Sequence, residues 1–469
     1  MPMPPVRRTA LSLALALALA ACGGGGGATD IVDVGDPPAP EAAPPATPDQ
    51  LAASEVVLQL RPGQDIAALA AEFRLTPLAQ FGQRPIHRLR LATGDLVEAV
   101  VDALRADPRV LYAEPNLESE TPEGRRSSVW AIGEAAAYTA QWAPQALRLA
   151  QAQAVSRGEG VRVAVLDTGA DLEHPALRER WARRAGGSLL GRDFVGDDAD
   201  PAELAGGAAY GHGTHVAGLV ALAAPAARIM PLRVLDEAGR GNIWVLAEAL
   251  LWAVDPDGDP ASDDGAHVVN LSLGGLQPTR LLEVAVRLAS CEIEDDDDED
   301  DFADAGFDAD RQRCARRHGA AVLAAAGNGG SATEVHYPAA EAARVPVPGA
   351  LAVTASNARR ELWSGANRGD WVQVAAPGEG ITSAIPGGGY GVWSGTSMAT
   401  PLAAGSAALV MAGAAAPDPQ GFSGLRRWTP ADLAQRLTDR TAKLCGDTPL
   451  RQVDAAAAVS DDSAPDPAC

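Results

Sequence analysis

Positive charge is scarce in this chain. Its 469 residues carry 38 Lys or Arg against 61 Asp or Glu, a formal net charge of −23 at pH 7. Phosphate binding needs clustered Lys and Arg, so nucleic acid is not expected as a partner. The imbalance is local. Residues 291–310 hold twelve acidic residues and no basic one, and 253–265 hold five more, so two segments carry seventeen of the twenty-three excess negative charges. Long apolar runs are missing too: the Leu- and Ala-rich stretch from Ala10 to Ala21 is short of the ~20 residues that span a bilayer comfortably. No internal repeat is visible, and cysteine is limited to five residues. What is present is a hydrophobic fraction of 47%, ample for a sizeable core, in a chain long enough for two folded units plus accessory segments.

The N-terminus reads as a targeting segment, set apart from fold reasoning. Arg7 and Arg8 precede the apolar run, which ends in Leu19-Ala20-Ala21-Cys22. That ending resembles the lipobox of bacterial lipoproteins. The resemblance implies acylation of Cys22 and residence in the bacterial envelope, in the periplasm or at the cell surface. A plain secretory signal cleaved near Ala20 or Ala21 is the other reading. Export permits disulfides. If Cys22 carries lipid, Cys291, Cys314, Cys445 and Cys469 remain, with three possible pairings; nearest neighbours, 291 with 314 and 445 with 469, is the expected one.

Residues 23–53 are Gly, Pro, Ala and acid without hydrophobic periodicity, a composition that stays unfolded and serves as a tether. From residue 54 the pattern changes. Glu55–Arg61 reads as a strand, Ile66–Phe73 as a helix, Ile86–Leu91 as a strand, Leu96–Leu104 as an amphipathic helix and Val110–Glu114 as a strand, by their periods of two and 3.6. Residues 54–118 are therefore a small α/β domain. Residues 119–128 are polar, with Pro122, Gly124, Arg125 and Arg126, and read as an exposed, cleavable linker. Residues 129–459 form a third unit, followed by a tail at 460–469. In this unit Val161–Leu166, Val268–Leu273 and Ala320–Ala326 are near-continuous apolar runs, as in parallel strands covered on both faces. Ala-rich helical stretches such as Val245–Val254 and Leu402–Met411 follow them. Such alternation predicts a doubly wound, mostly parallel α/β domain with its site at the carboxyl ends of the strands.

Three motifs fall where that site belongs. Asp167-Thr168-Gly169 follows the first apolar strand, Gly211-His-Gly-Thr-His-Val-Ala-Gly218 opens an apolar helix, and Gly395-Thr-Ser-Met-Ala-Thr-Pro401 sets Ser397 at the mouth of another. A hydroxyl nucleophile needs an imidazole to take its proton and a carboxylate to hold that imidazole in the right tautomer. At a helix N-terminus it also meets backbone N–H groups that favour developing negative charge. Taken singly, each residue is more often a cap, a turn or a satisfied buried group; together and in the order Asp, His, Ser they specify chemistry.

These motifs resemble those of the subtilase family over roughly residues 140–455. The likeness implies a subtilisin-like serine endopeptidase acting on proteins or peptides, with no cofactor needed for the chemistry. Carried over by position, Asp167 orients the imidazole, His212 is general base and then acid, and Ser397 attacks the carbonyl. Asn328, in Ala324-Ala-Ala-Gly-Asn-Gly329, matches the oxyanion-hole asparagine, acting with the Ser397 backbone N–H. Ser272, Leu273 and Gly274 match the strand edge on which substrate adds as a β-strand. His215 is expected to pack on or bond within its helix, and His336 to narrow the floor of the main specificity pocket. Tyr112-Ala-Glu-Pro-Asn116 resembles the close of the inhibitor-type propeptides of subtilases. Residues 54–118 would then be a ferredoxin-like propeptide, an intramolecular inhibitor cut away between Asn116 and Ser128. The catalytic domain would be released from the lipid anchor unless the two parts stay associated.

The insertions at 253–265 and 291–313 depart from the family pattern. Asp255, Asp257 and Asp259 have the alternation Ca²⁺ prefers without the Gly and terminal Glu of an EF-hand loop, so a structural Ca²⁺ is one reading of this segment. The stretch from Glu292 to Asp310, with its unbroken acidic run from Glu294 to Asp301, reads as a solvated, mobile surface loop, as like-charge blocks usually are. Two other functions fit the same fold: an inactive binding lipoprotein, and an acyl transferase that joins peptides through the same serine.

Overall fold

The apolar run that ends in Asp167 becomes the pivot of the main sheet. The computed structural model describes residues 51–125, 131–133, 135–293, 305–341, 347–414 and 424–466. The lipobox, the tether up to residue 50, the acidic run 294–301 and Cys469 lie outside the described residues.

The strands in chain order are β1 (Leu51–Leu60), β2 (Thr76–Gln80), β3 (Ile86–Arg90), β4 (Val110–Glu120), β5 (Ala131–Gly133), β6 (Arg162–Asp167), β7 (Arg192–Asp193), β8 (Arg228–Arg233), β9 (Arg240–Asn242), β10 (Val268–Leu271), β11 (Ala321–Ala325), β12 (Ala350–Ser356), β13 (Val374–Pro377), β14 (Ile381–Ile385), β15 (Gly389–Trp393), β16 (Thr441–Lys443) and β17 (Arg451–Val453). Nine of them form one sheet in the order β16-β17-β13-β12-β11-β10-β6-β8-β7, parallel throughout except for the β16–β17 edge. The chain enters at β6, winds outward to β8, then returns to β10 on the other side. The order reverses between β6 and β10, the switch point at which open α/β sheets place their sites.

Each face of the sheet is covered by helices. His212–Ala223 and Thr396–Gly413 pack on one face, with Val216, Leu219, Leu402 and Leu409 fully buried. Ile243–Val254 and Arg280–Ser290 pack on the other through Trp244, Leu250, Leu281 and Leu288. Burial on both faces is why these strands read as unbroken apolar runs rather than alternating ones.

Residues 51–120 form a β-α-β-β-α-β unit, with helices Ile66–Phe73 and Val97–Arg105 over an antiparallel sheet ordered β2-β3-β1-β4. Its core includes Val56, Leu58, Leu69, Leu89 and Leu104. Strand β2 has no counterpart in the sequence reading. It is short, largely exposed and carries Pro77, and Pro is confined to edge strands such as this one.

One expectation is corrected here. Strand β4 runs on to Glu120, and Ser119, Thr121 and Glu123 are buried; the first part of the 119–128 segment is not an exposed linker. The tail is also ordered up to Asp466, whose backbone N–H donates to Asp454 Oδ2 (2.8 Å) and whose carboxylate pairs with Arg360 (2.7 Å). Cys291 and Cys314 are joined in a disulfide. Among the described residues, no helix is long and apolar enough to cross a membrane.

Candidate active site

Asp167 ends β6 and is fully buried. Its Oδ1 accepts from its neighbour's backbone, Thr168 N–H (2.8 Å), and lies 2.7 Å from His212 Nδ1. His212 is the first residue of its helix, delivered by Gly211 at φ +98°, a left-handed conformation that favours glycine. Ser397 is the second residue of helix Thr396–Gly413 and is also buried. The turn after β11 brings Asn328 beside it, where Thr396 N–H and Oγ1–H donate to Asn328 Oδ1 (2.9 and 3.0 Å). Those two donors fix the side-chain amide so that Nδ2 points toward the serine.

Three of these groups, His212, Ser397 and Asn328, meet on one carboxylate. Glu123 Oε2 accepts from Ser397 Oγ (2.7 Å) and stands 3.2 Å from His212 Nε2, while Oε1 accepts from Asn328 Nδ2 (2.9 Å). The segment ahead of Glu123 is bound as a strand between two edges. Glu118, Ser119 and Glu120 pair antiparallel with Asn242, Gly241 and Arg240 of β9. The same ladder continues with Thr121 N–H donating to Gly239 O (3.0 Å), and on the other side Glu120 exchanges both backbone hydrogen bonds with Gly274 (3.0 and 2.9 Å). Ser272 supports the nucleophile from below, its Oγ donating to Ser397 O (2.9 Å).

The charges are arranged for this contact. Burial pushes the His212 imidazole down, but the charge and hydrogen bond of Asp167, with those of Glu123, outweigh it and hold its pKa well above the ordinary 6.5. Burial pushes Glu123 up, and the His212 hydrogen bond and charge, with the Ser397 and Asn328 bonds, bring it below its usual 4.5. His212 thus stands between two carboxylates, and the Ser397 Oγ–H is turned to Glu123 instead of to the imidazole.

Sequence reasoning missed three contributors. Glu123 looks like one more acid of a polar linker. Gly239–Asn242 carries no chemical signature, being an edge that exists only once β4 lies against it. Glu203 is the third: its carboxylate accepts from Thr168 Oγ1, Thr214 Oγ1, Gly211 N–H (3.0 Å) and Gly213 N–H (3.2 Å). It thereby ties the turn after Asp167 to the first turn of the His212 helix. Burial pushes Glu203 up, its hydroxyl partners pull it down and Asp167 pushes it up again, to about 7.

The remaining expected residues fall into place as follows. His215 does not bond within its helix; its Nε2 reaches Ile381 O (3.1 Å) on β14 and Gly391 O (3.2 Å) on β15, and burial pushes its pKa down to about 3. The His336 ring is buried between Gly274 and Gly327, where a Cβ on either glycine would lie 2.7 or 2.9 Å from it. The acidic segment needs a correction. Asp255, Asp257 and Asp264 bring carboxylate oxygens within 4.8 Å of one another, whereas Asp259 is outside that group and caps its own turn, accepting from Ala261 N–H (2.9 Å). The loop folds back over several residues, so sequence alternation did not pick the neighbours.

Comparison with known proteins agrees with this arrangement. Residues 158–458 match the Subtilase family, and residues 37–116 match the Fervidolysin N-terminal prodomain. The chain is 36% identical over 325 residues to the thermophilic serine proteinase of Bacillus sp. (strain AK1), covering 67% of this chain and 66% of that protein. It is 32% identical over 377 residues to the M-protease of Shouchella clausii (strain KSM-K16), covering 77% and 79%. Thermitase of Thermoactinomyces vulgaris is 34% identical over 280 residues, covering 58% and 81%. With a family match spanning its whole sheet and a prodomain ahead of it, the chain belongs to the subtilase family and is a subtilisin-like serine endopeptidase.

Proposed function

We propose that this endopeptidase is made as a self-processing precursor in which Asp167, His212, Ser397 and Asn328 carry the reaction. The observation behind the assignment is the convergence of His212, Ser397 and Asn328 on Glu123, with Asp167 behind His212, at the end of a chain segment lying as an added strand. A substrate on Gly239–Asn242 and Ser272–Gly274 would place its scissile carbonyl where the Glu123 carboxylate stands. His212, freed of Glu123, takes the Ser397 proton as Oγ bonds to the carbonyl carbon; Asp167 holds the imidazolium that forms. Asn328 Nδ2 and the Ser397 N–H receive the oxyanion, each such donor lowering the barrier by roughly 3–4 kcal/mol. The same proton passes to the leaving amine as the C–N bond breaks, and water then hydrolyses the ester by the reverse sequence. Self-cleavage falls beyond Thr121, within residues 122–128. The His336 ring narrows the adjoining pocket and favours small side chains there. Lipidation at Cys22, export to the bacterial envelope, a Cys445–Cys469 disulfide and a structural Ca²⁺ on Asp255, Asp257 and Asp264 complete the reading.

The test is expression of the precursor beside Ser397→Ala, with N-terminal sequencing of the products and labelling by a fluorophosphonate probe. Processing and labelling are expected in the parent and neither in the variant. A folded parent that does neither defeats the assignment, and ligated rather than hydrolysed products would mark an acyl transferase.

A further inference from the structure

The connection from helix Arg280–Ser290 to β11 occupies residues 291–320, where such αβ loops usually take about two to six residues. Its described part is not a solvated loop. Cys291 and Cys314 close it, Phe307 is fully buried, and Asp310 and Arg313 of helix Asp308–Ala315 are 3% and 1% exposed. Arg313 is fastened to the body, donating to Leu288 O (2.6 Å), His318 O (2.9 Å) and Asp310 Oδ1 (3.3 Å). Asp310 turns both oxygens to the prodomain as well. Arg84, in the β2–β3 turn, donates from Nε to Oδ2 (2.8 Å) and from Nη2 to Oδ1 (2.7 Å).

The rest of the interface is different in kind. Glu114 accepts from the N–H groups of Arg280 and Leu281 (2.8 and 2.9 Å), and Asn116 from that of Trp244 (3.3 Å); these cap helices through main-chain donors, which carry no residue identity. The Arg84 guanidinium lies over Phe81 (5.2 Å), which packs against Trp244 (5.5 Å). The Arg84–Asp310 fork is a two-side-chain pair with the planar, bidentate geometry that gives specificity as well as energy. We infer that the described part of this insertion, residues 305–318, is a docking surface for the chain's own prodomain, anchored at Asp310, and holds it on the catalytic body after the intervening segment is cut. The inference rests on the precursor reading above.

Removing one partner of a buried charge pair acts mainly on dissociation. Arg84→Ala leaves Asp310 paired with Arg313, so the body keeps its fold. The full-length precursor is followed by gel for cleavage and by a small chromogenic peptide for activity. Arg84→Ala and Asp310→Asn are each expected to shorten the lag between cleavage and activity at least about tenfold, and the double variant no further than either single. Prodomain and body should co-elute from a sizing column in the parent and separate in the variants. Arg84→Lys, which keeps the charge but loses the fork, is expected to behave like Arg84→Ala. A second readout needs no cleavage: in a Ser397→Ala background, amide exchange in β4 and in residues 305–315 is expected at least about tenfold faster with Arg84→Ala. Unchanged exchange, or an unchanged lag with continued co-elution, overturns the inference. A parent that fails to cleave while Arg84→Ala still speeds exchange would fault only the precursor reading.

Discussion

At the scale of single residues, Glu123 does two things with one carboxylate: Oε1 takes the Asn328 Nδ2 donor, and Oε2 engages Ser397 Oγ and His212 Nε2. The pH dependence of that block follows from the two shifts. Glu123 is held below its ordinary 4.5, so its contribution is present above that pH and lost as pH falls through the lowered value. His212 is held above 6.5, so its contribution is complete below that pH and fades as pH rises through the raised value. Docking is therefore tightest between these ordinary values and loosens in alkali. Activation of the precursor is expected to speed up by about tenfold or more toward pH ~9, and Glu123→Gln to flatten that rise. Equal pH slopes in both proteins would refute the account. Glu203 acts at one remove, by holding the Asp167 turn against the His212 helix. In Glu203→Gln, kcat is expected to fall about 10- to 100-fold with KM unchanged, the pattern of lost positioning. The ionisation near 7 should also vanish from the acid limb of the kcat profile, which a merely structural contact would leave in place; steady-state kinetics across pH reads both.

At the scale of elements, legibility followed burial. Helix Ile66–Phe73 and strands β6, β10 and β11 lie within a residue or two of their expected bounds, because the strands bury continuous apolar runs and the helix packs one face, Ile66, Leu69, Ala70 and Phe73, on its core. β2 and the second half of β4 were not legible, since one is an exposed edge and the other owes its strand form to β9 and Gly274 across the cleft. The acidic loop 255–264 shows the same limit. Which carboxylates meet is decided by how the turn closes, and closure brought in Asp264 instead of Asp259. Desolvation, and then mutual repulsion among these carboxylates, raise Asp264 and Asp255 above the ordinary 3.8, a strain that a divalent cation would relieve. If Ca²⁺ binds there, adding it should raise Tm by several degrees in the parent, on the order of 1–2 kcal/mol, and less in Asp255→Asn/Asp257→Asn/Asp264→Asn. Equal shifts in thermal melts of the two would place any calcium effect elsewhere.

At the scale of the whole molecule, the precursor is two folding units joined by a strand that belongs to both. β4 is an edge strand of the prodomain sheet and, from Glu118 on, a guest between two edges of the catalytic domain. That continuity is why the prodomain end is buried instead of forming the exposed linker its polarity suggested. The sequence by itself determined the doubly wound class with a prodomain ahead of it, and it singled out Asp167, His212, Ser397 and Asn328 as candidates. Each of those depends on local signals, apolar strands, glycine-flanked motifs and helix starts, that adjacent residues write together. Only the tertiary structure decided that Glu123 sits on the catalytic groups, that Glu203 braces them and that Arg84 meets Asp310, more than 200 residues away. These are contacts between segments distant in sequence. No period or spacing along the chain encodes them, because they form only when the sheet has closed and the charges have been carried out of water together.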